Sequence, residues 1–92
     1  MTQRKKDDES VSIEEEVARL DAERAAFEAQ RQQVAAEVRR LRDAENPATG
    51  VYHAQEIFRL SQEKLRLDTE IEVCRRRAAR LLMPDPLHGP LQ

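Results

Sequence analysis

The run Arg75-Arg76-Arg77-Ala78-Ala79-Arg80, joined by Arg39, Arg40 and Arg42, is the first place to look for chemistry. Arginine outnumbers lysine 13 to 3, which suits forked contacts to phosphate or carboxylate. The formal net charge is nevertheless −2, and no aromatic ring is interleaved with the basic run to stack on a base. Cations near the C-terminal ends of helices also answer the helix dipole and any facing acids. The structural role is therefore favoured over nucleic-acid binding, and Arg75, Arg76, Arg77 and Arg80 stand as a charged contact to a protein.

Other reactive side chains point the same way. Cys74 is the single cysteine, so it has no partner for an intramolecular disulfide. It reads as a small core residue, although a cation beside it, Arg24 in the register below, would lower its pKa. His53 and His88 lack metal-ligand spacing, and no two-cysteine motif accompanies them. The carboxylates sit three or four residues from arginines: Glu15–Arg19, Glu28–Arg31, Glu56–Arg59, Glu63–Arg66 and Glu72–Arg76. That spacing builds ion pairs along a solvated helix. General acid–base catalysis needs a desolvated, concave site, which two helices do not provide. The expectation is a non-enzyme with no catalytic residue, no cofactor, no metal and no small-molecule substrate.

Composition says which elements must carry these residues. Of 92 residues, 18 are acidic and 16 basic, two are glycine, and the aromatic residues are two phenylalanines and one tyrosine. Strands favour β-branched and aromatic residues, which are scarce here, so the chain reads as all-α. Scarce glycine excludes a Gly-rich phosphate loop. No uncharged run is long enough to span a bilayer, and no apolar segment follows a basic start. With a lone cysteine, this predicts a cytoplasmic, intracellular setting and no membrane insertion.

Residues 1–11 are charged and poor in apolar side chains, and predict a disordered arm. Ser12-Ile13-Glu14-Glu15 matches a capping box, and the three glutamates Glu14, Glu15 and Glu16 sit at the positive end of the helix dipole. Ile13, Val17, Leu20, Phe27, Val34, Val38 and Leu41 then hold one heptad frame, with Arg24 and Arg31 at two of its core positions. Such periodicity, flanked by charge, predicts a coiled-coil helix over about 12–45. Asn46-Pro47-Ala48-Thr49-Gly50 breaks it, whether as a turn or with Asn46 capping the next helix. A second frame runs through His53, Ile57, Leu60, Lys64, Leu67, Ile71, Cys74, Ala78 and Leu81, predicting a helix over about 51–83. Residues 84–92, rich in proline, read as an extended tail whose Leu87 and Leu91, with Leu81 and Leu82 before it, offer a short linear contact.

Each helix is about 50 Å long at 1.5 Å per residue, and a short connection favours antiparallel neighbours. When facing positions sum to 98, the core positions pair throughout: Leu41 with Ile57, Val38 with Leu60, Val34 with Lys64, Arg31 with Leu67. Phe27 with Ile71, Arg24 with Cys74, Leu20 with Ala78 and Val17 with Leu81 continue the series. This register sets the acidic start of the first helix beside the basic end of the second, with Glu23 facing Arg77 and Asp21 facing Arg75. It also opposes Glu37 and Glu63 as like charges. The fold predicted is a two-helix antiparallel coiled-coil hairpin, its thin core completed by self-association or by a protein partner.

Two stripes lie off the seam. Ala18, Ala22, Ala25, Ala29 and Ala36 line the first helix, where high helix propensity is an equal explanation. Val51, Tyr52, Ala54, Phe58 and Leu65 line the second, and large apolar residues off the seam mark an interface. Phe58 and Leu65 are the preferred anchors.

His53-Ala54-Gln55-Glu56, with Ser61 and Lys64-Leu65-Arg66-Leu67, resembles the second helix of homology region 1 (HR1) domains over about 15 residues. That resemblance implies an antiparallel coiled-coil finger binding a Rho-family small GTPase. In size and shape the chain is also similar to small helical-hairpin chaperones and stalk proteins of bacterial type III secretion. The reading favoured by the residues is broader: an adaptor, scaffold or assembly subunit that presents coiled-coil helix faces to protein partners.

Overall fold

The heptad frames become two helices in the computed structural model, which describes the backbone of residues 2–83 and the side chains of residues 12–83. Helix α1 spans Thr2–Ala44 and α2 spans Ala54–Leu82. They pack against each other as an antiparallel hairpin, and no strand occurs among the described residues beyond one isolated bridge in the turn.

The seam is the predicted one. The buried residues are Leu20, Val38 and Leu41 on α1 and Leu67, Cys74 and Ala78 on α2, all at core positions of the two frames. Val17 and Phe27 pack against the cluster of Leu20, Cys74 and Ala78. Arg31 ion-pairs with Asp68, and the Cys74 thiol approaches the Glu23 carboxylate at 3.9 Å. Both contacts fall within one residue of the predicted register. Leu67 is fully buried near the middle of the seam.

The turn corrects the predicted start of α2. Asn46 and Val51 exchange both backbone hydrogen bonds, at 2.8 and 2.9 Å. Between them the Asn46 carbonyl accepts from Thr49 N–H, and Asn46 Oδ1 accepts from Ala48 N–H, as in an Asx turn. Gly50 adopts φ 77°, a left-handed geometry open to glycine without strain. Val51 and Tyr52 therefore belong to the closing arm of the turn, and helix begins only at Ala54. His53 caps α2 without a side-chain bond; instead the Glu45 carboxylate accepts from His53 N–H at 3.0 Å. Asn46 is thus a turn residue and not the cap of α2.

The two far ends differ from each other. Met83 is extended at φ −85°, ψ 147°, the geometry that a following proline imposes. At the other terminus helix continues from Ser12 back to Thr2, through the segment predicted to be a disordered arm. That segment holds no proline or glycine, so nothing in it interrupts a helix already propagating. Ser12 consequently lies inside α1 and caps nothing. The predicted tail, including His88, Leu87 and Leu91, lies outside the described residues.

A radius of gyration of 21.1 Å and a thickness of only 14 Å contrast with about 12 Å for the radius of a compact domain of this length. A hairpin this thin positions every non-seam side chain at the surface or its edge.

Candidate interaction face

A two-helix seam divides the hairpin into two long faces. With core positions at a and d, the e and b positions of both helices share one face, and the g and c positions share the other. A shallow groove lined by Glu28, Arg31, Gln32, Asp68 and Ile71 marks the first face. Another, lined by Glu16, Leu20, Arg77, Arg80 and Leu81, marks the second at the open end.

The second face is laced with ions. Arg19 bridges Glu16 and Glu23, Arg40 binds Glu37, and Arg66 bridges Glu63 and Glu70. Each arginine sits three residues after one glutamate or four before the next, as i, i+3 and i, i+4 geometry allows. Hydrogen bonds from Arg40 and Arg66 hold the Glu37 and Glu63 carboxyls below the usual range. The predicted repulsion between these two glutamates is thereby neutralised within each helix.

The first face is different over its turn-proximal half. Phe58 is 66% exposed and Leu65 57% exposed, seven residues apart and so in line along α2. Ala54 lies exposed one turn before Phe58, while Ser61 and Ala35 of α1 are half-buried beside them. Exposed Arg39 and Arg42 rim this patch, and among the described residues neither has an ion-pair partner. Farther along, α1 presents Ala25 and Ala18 with the acids Glu28, Asp21 and Glu14, and α2 ends in exposed Leu82.

Not every predicted contact residue belongs here. Ala54, Phe58 and Leu65 share the face, whereas exposed Val51 and Tyr52 lie in the turn, Tyr52 beside His53, Gln55 and Glu56. The alanines at 18, 22, 25, 29 and 36 are all exposed, as their positions predicted.

The basic run is split. Arg75 and Arg76 both bind Glu72 of their own helix, at 2.5 and 2.8 Å. Hydrogen bonds first from Arg75 and then from Arg76 bring the Glu72 carboxyl down to about 2. Arg77 and Arg80 line the open-end groove with Glu16. The predicted pairs Glu23–Arg77 and Asp21–Arg75 do not form: Glu23 binds Arg19, and Asp21 is 3.6 Å from Arg24. An arginine reaches a glutamate on its own helix with less ordering of the side chain than one across the seam. Asp68 of the one cross-helix ion pair among the described residues was missed, because its position flanking the core next to Leu67 carries no distinct sequence signal.

Cys74 is also recast. It faces Glu23 and not Arg24, and burial, followed by the Glu23 carboxylate, pushes its thiol above the ordinary range. That is the environment of an inert core thiol.

No helix among the described residues is long and apolar enough to cross a membrane. Neither a protein-family model, a curated protein nor a solved structure matches the chain.

Proposed function

We propose that this chain is a non-enzymatic interaction module, an adaptor, scaffold or assembly subunit that presents one helix face to protein partners. The observation that carries the reading is the exposure of Phe58 and Leu65 in line on α2, on the hairpin face without ion pairs at its turn-proximal half. Isolated apolar side chains are ordinary at a protein surface, whereas two large ones aligned with alanines form a patch that favours a partner.

Helix packing in a groove or a coiled-coil arrangement would cover this patch, with the rim arginines contributing charge complementarity.

Phe58→Glu tests this directly. The variant should retain its helical circular dichroism, because Phe58 is off the seam, while losing partner binding or self-association. Unchanged mass in solution together with unchanged binding would overturn the reading.

A further inference from the structure

We infer that the partner on the Phe58–Leu65 face is a second copy of this chain, packed antiparallel across a two-fold axis into a four-helix bundle. The inference rests on the interaction-module reading and adds the occupant and its orientation.

The charge order of α1 lets its turn end complement the open end of a reversed copy. On α1 the turn end carries Arg39 and Arg42, and the open half carries Glu28, Asp21 and Glu14, all of them exposed and all on the e and b positions. A two-fold axis lying in the face, perpendicular to the helices, stacks α1 on its copy with reversed direction. Centred at Glu28, it sets Arg42 opposite the copy's Glu14 and Ala35 opposite its Asp21.

The same axis must also arrange α2, and here an independent match appears. In the hairpin's own register, the operation that pairs position 42 with 14 pairs position 58 with 82. Phe58 thereby meets Leu82 of the second copy, each about two-thirds exposed in the single chain, at 66% and 68%. Ser61 meets Ala79, Leu65 meets the aliphatic stem of Arg75, and Ala18 and Ala25 keep the two α1 helices able to approach closely. Neighbouring helices are antiparallel everywhere, so their dipoles oppose.

Like charges do gather near the axis, from Glu28, Asp68 and Glu72 of both copies. Each already has an arginine of its own chain: Arg24 at 3.6 Å from Glu28, Arg31 on Asp68, and Arg75 and Arg76 on Glu72. An unrelated partner would have no reason to match both the charge order of α1 and the apolar ends of α2.

Sedimentation equilibrium on the full chain tests the proposal, with helicity of every variant checked by circular dichroism. The parent protein should reach twice its 10.7 kDa mass as concentration rises. Arg42→Glu should weaken dimerisation on the order of tenfold, since it creates two symmetric repulsive pairs. Adding Glu14→Arg to Arg42→Glu should restore it. Positions 14 and 42 lie 28 residues apart on one helix, about 42 Å, so recovery can only act between chains. A parent chain that stays monomeric overturns the second-copy proposal, while the interaction face is judged separately by the Phe58→Glu binding result. A dimer in which the double swap brings no recovery overturns the antiparallel arrangement.

Discussion

The two long faces of the hairpin use the same residue types to opposite ends. On one, Arg19, Arg40 and Arg66 are each held by glutamates of their own helix. On the other, Arg39 and Arg42 stand beside Phe58 and Leu65 with no carboxylate partner among the described residues. A charge satisfied within its own helix has little left to give a partner, and its exposed pairs contribute little to stability. A free arginine rimming an apolar patch can give both affinity and orientation. On the proposed reading, recognition would follow from the distribution of ion pairs more than from the number of charges.

Several measurements would break or sharpen that contrast. The largest effect belongs to the seam that both faces share. Leu67 is fully buried, and Leu67→Ala should cost about 2–5 kcal/mol of stability in thermal or denaturant unfolding. A loss well under 1 kcal/mol would mean the seam is not where Leu67 lies. Next comes a comparison between faces. Phe58→Glu should lower association by an order of magnitude or more, whereas Arg59→Gln, one residue on and on the opposite face, should leave it unchanged. Equal effects of the two substitutions would erase the distinction. At the turn, Gly50→Ala should destabilise the hairpin by on the order of 1 kcal/mol, because an L side chain is strained at φ 77°. Space around the added methyl is open, so the backbone alone sets that cost.

The smallest effect is a titration. Glu72 should lose its charge at about pH 2, below an ordinary glutamate near 4.3, as followed by its carboxyl NMR shift. A depressed carboxyl stabilises the folded state above its unfolded value and loses that contribution as pH falls towards 2. Glu72→Gln should remove this low-pH dependence. A parent titration at the ordinary value would show that Arg75 and Arg76 do not hold the carboxylate in solution.

The core was legible because its signal is redundant. Leu20, Val38, Leu41, Leu67, Cys74 and Ala78 follow from two heptad frames and a single register constraint, each fixing the others. Phe58 and Leu65 were legible as large side chains off that seam. Less legible were features that rest on one residue choosing between comparable partners. Val51 could extend α2 or bond to Asn46, and two backbone hydrogen bonds across the turn decided for Asn46. Glu23 could bind Arg77 or Arg19, and the nearer arginine prevailed. Ser12 carries a capping signature that only functions when the preceding residues leave the helix, and here they continue it. Sequence alone therefore exposed the large apolar side chains off the seam while leaving open which stretch of surface the ion pairs would leave free.

Hydroxyl-radical footprinting of the two aromatic residues that flank the start of α2 tests the central claim most directly. Tyr52 and Phe58 are almost equally exposed in the single chain, at 61% and 66%, but only Phe58 lies on the face assigned to association. Compared in dilute and concentrated protein, Phe58 should become protected with rising concentration while Tyr52 keeps its oxidation rate. Loss of Tyr52 oxidation with Phe58 unchanged, or no protection of either residue, would contradict the account.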